Sequence, residues 1–421
     1  MDLTAAADRP PITIVRASRT EARAFGWDAL LLSVAAYVLT AVGRIHQLFG
    51  ALEVLHLAAL AGLLAVTMYV VDGSPERRAA LLKGSTTTLV ALLLIWMMMS
   101  VPFALNTGAS FDLVFNNFLK TAVMSFVVAG SIRRVEDVER LALVYFFGAV
   151  MYSIVVMSRF SLGDGGNWRL GHLYYYDAND FGTFTVTAIP FGIYFLHAAP
   201  KTSTRVAATI GLVALTLGFV WSGSRGGFIA LSAVAAYILL RYSAIPMRWR
   251  LAATALLALV VFATASDHYW QQMETITSEN DYNHTSETGR LQIWKRGIGY
   301  MLANPLLGVG PENFPAAEGT LSPLAERQQY GIGVRWNAPH DCFVQIGAET
   351  GLPGLALFIG ILVSAFRALG RSRAALRPAL TASLIGFVVG GFFLSLAYSE
   401  MLYTLVAFAV ALRKVTAHAL V

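Results

Sequence analysis

Charged residues are scarce in this chain. Asp, Glu, Lys and Arg make up 13% of its 421 residues, whereas hydrophobic residues make up 56% and the mean hydropathy is +0.60. A soluble domain contains roughly 25% charged residues. The shortage excludes an ordinary water-soluble domain and predicts a membrane protein.

Residues and motifs typical of metal and nucleotide sites are also missing. The single cysteine, Cys342, excludes an internal disulfide and a thiolate metal cluster. The chain has no His-Glu-x-x-His motif, no Asp-x-Asp pair and no Walker-type lysine loop. A metal-dependent sugar-nucleotide transferase and an ATP site are therefore not expected, and we predict that the protein uses neither a metal nor a cofactor.

Long apolar runs fill most of the sequence. A transmembrane helix needs about 20 mainly apolar residues, and about twelve runs approach this length. They fall near 26–44, 49–71, 86–104, 111–131, 138–158, 180–199, 205–221, 227–241, 250–266, 342–366, 376–397 and 400–412. The fourth run is weakly apolar and the last is short, so ten or eleven spans is the alternative. The pattern predicts an all-α polytopic membrane protein.

The basic residues are unevenly distributed between the connections. Most of the 31 Lys and Arg residues lie in alternate connections, starting with the Arg-rich N-terminal tail and ending after the last run. Because positively charged connections stay in the cytoplasm, both termini are predicted to be cytoplasmic. The pI of 9.4 therefore does not indicate nucleic-acid binding. The tail lacks a small-residue cleavage site, so the first run is interpreted as a retained span.

This orientation divides the chain into five parts. Residues 1–25 form a cytoplasmic tail, 26–266 the first nine spans, 267–340 a large periplasmic segment containing helices, 341–412 the last three spans, and 413–421 a second cytoplasmic tail. Structureless connections longer than about 15 residues are usually functional. The functional site is therefore expected on the side of the large segment.

A glycine-rich turn joins the seventh and eighth runs. It reads Trp221-Ser-Gly-Ser-Arg-Gly-Gly227 and contains one basic residue, Arg225. Glycines let a ligand approach the backbone closely, and exposed amides beside an arginine form an anion site. Arg225 is a candidate phosphate-binding residue. The alternative is a hairpin whose arginine contacts a lipid phosphate at the membrane surface.

The large external segment contains an amphipathic pattern over residues 285–300. Its apolar side chains recur at helical spacing. Arg290 stands one turn before Trp294, so both side chains can face one side of the helix. Arg290 is a second candidate for anion binding. The alternative is an arginine on a solvated face, which fits the neighbouring Lys295 and Arg296 better.

A histidine stands where the external segment meets the tenth run. Pro339 and His340 precede that run, and Asp341 follows them. A histidine at a half-dry boundary suits proton transfer, although a structural hydrogen bond is the commoner role of a lone histidine. Neighbouring residues on a helix do not face each other. Asp341 is therefore a pocket candidate but need not orient the imidazole.

Two further pocket candidates are Lys120 and Asp180. Lys120 follows Asp112 and Asn116 at four-residue spacing in the fourth run, and ionisable groups inside a membrane often line functional cavities. The alternative is a local arrangement of these three side chains without a ligand. Asp177 and Asp180 precede the core of the sixth run, where they can either cap the helix or contact substrate.

If Arg225, Arg290 and His340 meet on the external face, they form a catalytic set. Two guanidinium groups can bind a diphosphate and stabilise the charge that develops as it leaves. The histidine can accept a proton from an attacking hydroxyl. The residues favour metal-independent, inverting glycosyl transfer from a lipid diphosphate. A lipid-glycan transporter is the rival from another class, but it favours internal repeats and charges near the membrane midplane.

These residues lie in motifs that resemble a known family. The bacterial O-antigen ligase / O-antigen polymerase superfamily has similar motifs in the same order over about residues 180–365: Ser222-Gly-Ser-Arg-Gly-Gly227, Arg290 with Trp294, Pro305…Gly308-x-Gly310…Phe314, and Pro339-His340…Glu349-Thr-Gly-Leu-x-Gly354. Many members have asparagine after the histidine, whereas this chain has Asp341. That difference leaves the role of the neighbouring side chain open.

The resemblance implies a GT-C-type glycosyltransferase of the bacterial inner membrane, surrounded by membrane lipids, with a periplasmic active site. It implies an undecaprenyl-diphosphate-linked glycan as donor and, in ligases, a lipid A–core sugar as acceptor. It assigns diphosphate binding to Arg225 and Arg290 and catalysis to His340. An O-antigen polymerase and a protein O-oligosaccharyltransferase use the same donor, and both remain alternatives.

Overall fold

The computed structural model describes residues 26–72, 84–159, 168–170, 176–199, 201–242, 245–326 and 338–418. The N-terminal tail, the basic residues between the second and third apolar runs, and most of the connection between the fifth and sixth runs lie outside the described residues.

Within the described ranges, a helix coincides with each of the twelve apolar runs. The first nine are α1 (Ala29–Val42), α2 (Leu57–Val71), α3 (Ser85–Phe103), α4 (Thr107–Ser131), α5 (Val135–Arg159), α6 (Ala178–Ala198), α7 (Thr202–Ser222), α8 (Arg225–Arg241) and α9 (Met247–Thr264). Four short helices follow: α10 (Asp267–Glu274), α11 (Tyr282–Thr285), α12 (Arg290–Ala303) and α13 (Phe314–Thr320). The last three are α14 (Cys342–Gly370), α15 (Arg377–Gly391) and α16 (Glu400–His418).

The all-α prediction is confirmed, since no strand occurs among the residues that the structure describes. Seven of the described helices are long and apolar enough to cross a membrane, namely α3 to α7, α9 and α14. Helices α1, α2 and α15 are apolar but shorter. The protein is thus a multi-pass membrane protein, while the count of twelve spans and the GT-C arrangement stay predictions.

Helix α14 is broken at the Glu349-Thr-Gly-Leu-Pro-Gly354 motif. Gly351 has φ +71°, a left-handed conformation that interrupts the helical path and favours glycine. Residues 304–313 run beside this break. The N–H groups of Val309 and Gly310 donate to the carbonyls of Ala348 and Glu349 at 2.9 and 3.0 Å. These hydrogen bonds satisfy backbone groups that the break leaves unpaired, and they fix the connection that follows α12 against α14.

Helix packing places the starts of three helices on the side of the external segment. Helix α12 packs against α14, and α8 packs against α6 and α15. Arg225 is the first residue of α8, Arg290 is the first residue of α12, and His340 lies just before α14. A helix N-terminus carries partial positive charge and unpaired N–H groups. Each candidate residue therefore stands at the start of a helix, on the side of the external segment.

Candidate functional site

Arg225 connects the glycine-rich turn to the external segment. Gly223, with φ +57°, ends α7, and the Ser224 hydroxyl accepts a hydrogen bond from the Gly227 N–H at 3.0 Å to cap α8. From the next position, Arg225 Nη1 donates to Thr275 Oγ1 at 2.6 Å and to Asp281 Oδ2 at 2.9 Å. This ion pair lowers the pKa of Asp281 together with hydrogen bonds from Asn283, against the effect of burial.

A cavity of about 200 Å³ opens beside this ion pair. Helix α8, the 275–283 stretch, helix α12 and Phe393 all contribute to its wall. The polar and aromatic lining residues are Arg225, Thr275, Asp281, Asn283, Arg290 and Trp294. Arg225 and Arg290 therefore line one cavity, although they are far apart in the sequence.

Arg290 and Trp294 both line the cavity, as their spacing of one helical turn predicts. The helix begins at Arg290 rather than near residue 285, because Ser286 and Gly289 form a turn closed by a 2.9 Å hydrogen bond. The Arg290 guanidinium makes no hydrogen bond to another described residue, and its Nε is buried. Burial lowers the pKa of Arg290, and the charge of Arg225 lowers it further.

His340 is held between α12 and the segment after α15. Its backbone N–H donates to Ser395 Oγ at 2.9 Å, and the preceding carbonyl, of Pro339, accepts from Trp294 Nε1 at 3.0 Å. His340 has φ +47°, a conformation that costs free energy for a residue with a side chain and often occurs at functional sites.

The imidazole of His340 lies within electrostatic reach of the cavity. Burial lowers its pKa below the ordinary value of 6.5, the charge of Arg290 lowers it further, and Asp177 acts in the opposite direction. The neutral form is therefore favoured at neutral pH, as a proton acceptor requires. The structure thus places Arg225 and Arg290 on one cavity and His340 within reach of the charge of Arg290, and their catalytic roles stay a prediction.

Asp341 is engaged at the start of α14. Its Oδ1 accepts hydrogen bonds from the N–H groups of Phe343 at 2.7 Å and Val344 at 2.9 Å. The residue is only 4% exposed. Burial raises the pKa of Asp341, and the two amide hydrogen bonds act against that rise. The structure shows Asp341 as a helix cap.

Asp177 and Asp180 occupy different positions at the start of α6. Asp177 Oδ1 accepts from the N–H groups of Asn179 at 2.7 Å and Asp180 at 2.8 Å, so Asp177 caps the helix. Asp177 is also the carboxylate whose charge acts on His340 and Arg290. Asp180 lies in the first turn, half-buried. Electrostatics therefore connect Asp177, more directly than Asp180, to the cavity.

Only part of the polar stripe predicted for α4 is present in the structure. Residues Asp112–Phe118 form π-helical turns, which shift the register of the side chains. Asn116 Nδ2 donates to Asp112 Oδ1 at 2.7 Å. Lys120 is exposed and makes no hydrogen bond or ion pair with the residues that the structure describes. Asp112 and Asn116 therefore form a local pair, and Lys120 stays apart from both.

Sequence patterns did not point to Arg169, which the structure places near the site. The Leu170 N–H donates to the Trp221 carbonyl at 2.9 Å, so this stretch packs on the turn that presents Arg225. One signal was available. Arg169 is the only Lys or Arg in residues 160–179, just as Arg225 is the only basic residue of its turn.

Part of the chain is similar to a known protein family. Residues 210–359 match the family model described as O-Antigen ligase. The match confirms the resemblance drawn from the motifs and supports an O-antigen ligase or polymerase type of function. It spans less than half of the chain but includes Arg225, Arg290 and His340. A search of curated proteins finds no match.

Proposed function

We propose that the protein is an O-antigen ligase, which transfers a glycan from undecaprenyl diphosphate to a sugar hydroxyl of lipid A–core. The enzyme acts at the periplasmic face of the bacterial inner membrane, within a GT-C-type arrangement whose termini are both cytoplasmic. One observation supports this most directly. Arg290 lines a cavity, its guanidinium has no hydrogen-bond partner among the residues that the structure describes, and its charge acts on His340.

The residues account for a direct displacement. Arg225 and Arg290 hold the diphosphate, and an acceptor hydroxyl attacks the sugar carbon from the opposite side. The bond between this carbon and the diphosphate oxygen breaks, its electron pair leaves with the diphosphate, and His340 takes the hydroxyl proton. One displacement inverts the configuration of the sugar carbon. Since diphosphate leaves readily, the side chains of the cavity suffice without a metal.

The position of the cavity suits a donor anchored in the membrane. Arg225 follows the C-terminus of α7, and His340 precedes α14; both helices are long and apolar enough to span a bilayer. A polyprenyl tail embedded among such helices would bring its diphosphate to the depth of their ends. Meeting the donor at the interface also removes the need for a site that binds soluble sugar nucleotides.

Complementation tests the proposed site in cells. In a host that lacks its own ligase, the wild-type chain should restore capped lipopolysaccharide, and His340→Ala, Arg225→Ala and Arg290→Ala should each abolish capping. Lys295→Ala is the matched control, because Lys295 lies on the same helix as Arg290 but is exposed. Capping that persists in all three variants at normal expression would refute the site.

Purified protein distinguishes the ligase from its alternatives. The protein is incubated with lipid-linked glycan and, separately, with lipid A–core, with further lipid-linked glycan alone, or with an acceptor protein. Transfer to lipid A–core supports the ligase. Chain elongation would indicate a polymerase, and transfer to protein a protein O-oligosaccharyltransferase. Movement of the lipid-linked glycan across the bilayer with no transfer would indicate a transporter.

A further inference from the structure

Arg169 is fixed beside the turn that presents Arg225. The Leu170 N–H donates to the Trp221 carbonyl at 2.9 Å. A Cβ added at Gly223 would lie 3.2 Å from the Cβ of Arg169, so the two backbones approach closely. Gly223 also has φ +57°, which favours glycine. The hydrogen bond that fixes this stretch comes from the backbone of Leu170 and does not involve the Arg169 side chain.

Arg169 shares its electrostatic environment with the cavity. Burial lowers the pKa of Arg169 and the charge of Arg225 lowers it further, while Asp177 acts in the opposite direction. Arg169 in turn lowers the pKa of Arg290. Among the described residues, the charges of Arg225 and Arg169 both act on Arg290, Asp177 acts in the opposite direction, and Asp281 forms an ion pair with Arg225. Such crowding of like charges is relieved when a polyanion binds.

The three arginines differ in their hydrogen bonds. Arg225 donates to Thr275 and Asp281. Arg169 and Arg290 make no hydrogen bond to other residues in the described part of the chain, so their N–H groups are available to a ligand. Arg225 therefore has a partner that orients it, whereas the other two arginines have none among the residues that the structure describes.

We propose that Arg169 is a third diphosphate-binding residue, which donates to an oxygen of the departing polyprenyl diphosphate. This rests on the proposed function. As the bond between the sugar carbon and the diphosphate oxygen breaks, a new bond forms to the acceptor oxygen, and His340 takes the acceptor proton. The electron pair of the broken bond stays on the diphosphate, which gains one negative charge. A donor beside it contributes more in the transition state than in the bound donor complex.

Kinetics of Arg169 variants in liposomes test this role, with lipid-linked glycan as donor and lipid A–core as acceptor. Arg169→Ala should lower kcat about 100-fold, the effect typical of losing one donor to a developing anion. The KM for acceptor should change less than about threefold. Arg169→Lys should recover part of the rate, because lysine keeps the charge without the forked geometry. Lys295→Ala is the control.

Three outcomes would overturn the role of Arg169. The first outcome is a kcat of Arg169→Ala that equals the kcat of Lys295→Ala. The second is a rise in acceptor KM without a fall in kcat, which would assign Arg169 to a phosphate of the acceptor. The third is an equal loss in the lysine and alanine variants accompanied by equal destabilisation, which would make the side chain structural.

A binding measurement separates this proposal from the proposed function. If the wild-type protein transfers no glycan, the proposed function fails, and binding of undecaprenyl diphosphate itself then decides the role of Arg169. Weaker binding by Arg169→Ala than by Lys295→Ala supports the diphosphate contact. Unchanged binding overturns it.

Discussion

Helix α12 contains two arginines, of which Arg296 has a carboxylate partner and Arg290 has none among the described residues. Arg296 donates from Nε to Glu318 Oε1 at 2.7 Å and from Nη2 to the second oxygen, and the Tyr300 hydroxyl donates to Glu318 at 2.8 Å. Glu318 is fully buried in this network. Arg290, at the first position of the helix, has no hydrogen-bond partner among the described residues, and its Nε is buried.

The pKa values of the two arginines shift in opposite directions. The hydrogen bond to Glu318 raises the pKa of Arg296, whereas burial and Arg225 lower that of Arg290. A buried charge without a partner destabilises a fold, and such groups concentrate at functional sites. The comparison supports a stabilising role of Arg296 in the external segment and agrees with the anion-binding role that we propose for Arg290.

The largest expected effect follows from removing one partner of the Arg296–Glu318 ion pair. Arg296→Ala leaves the buried Glu318 without its charge partner, so the free energy of unfolding should fall by about 3–5 kcal/mol. Thermal unfolding in detergent, followed by tryptophan fluorescence, measures this loss. The double variant Arg296→Met/Glu318→Leu removes both charges and should recover most of the stability. An unchanged midpoint in Arg296→Ala would show that the pair contributes little.

Arg290→Ala should give the reverse pattern. Transfer should fall about 100-fold or more, because a donor to the departing diphosphate is lost. The unfolding midpoint should stay constant or rise, since the variant removes a buried charge close to Arg225. Activity and unfolding are measured on the same preparation, with Lys295→Ala as the control. If the unfolding midpoint of Arg290→Ala were as low as that of Arg296→Ala, both arginines would be stabilising residues and the contrast between them would be wrong.

The sequence identified the parts of the site that depend on local spacing. Arg290 and Trp294 are one helical turn apart and line the same cavity. Arg225 lies in the glycine-rich turn and is the first residue of the helix that follows it. The burial of a side chain could not be predicted from local spacing, because it depends on partners that are distant in the sequence. Arg296 was assigned to a solvated face, whereas Glu318, 22 positions away, pairs with it.

Other features could not be predicted from the sequence, because they depend on backbone geometry or on the packing of segments that are distant in the chain. The π-helical turns at Asp112–Phe118 change which side chains of α4 are neighbours, and no residue type marks them. Arg169 approaches Arg225 only because its stretch packs on the Trp221–Gly223 turn. Asp341 was predicted as a pocket residue that need not orient His340, and its carboxylate accepts hydrogen bonds from two N–H groups at the start of α14.

A smaller effect is expected at this helix cap. Asp341→Ala removes two hydrogen bonds and should lower the free energy of unfolding by about 1 kcal/mol, whereas Asp341→Asn keeps an oxygen acceptor and most of the stability. Both variants should transfer glycan within a few-fold of wild type once expression is matched. If Asp341→Asn is stable but inactive, Asp341 orients His340 and the cap is secondary.

The smallest effect concerns the pH dependence of transfer. In the proposed mechanism His340 accepts the proton in its neutral form, so the rate should rise through the pKa of His340 and stay high above it. Burial and Arg290 lower this pKa, so the acidic limb should be centred below pH 6.5. Arg290→Gln removes one of the two lowering influences, and the limb of its residual activity should move upward by less than about one pH unit.

Lys295→Ala should leave the limb in place, because Lys295 is not among the charges that act on His340. A limb that stays fixed in Arg290→Gln would mean that Arg290 and His340 do not communicate, and the cavity would then lack the electrostatic link on which its chemistry depends. An upward shift of the limb in Arg290→Gln, in a variant that is folded, would show that Arg290 acts on the reaction, whereas Arg296 stabilises the fold.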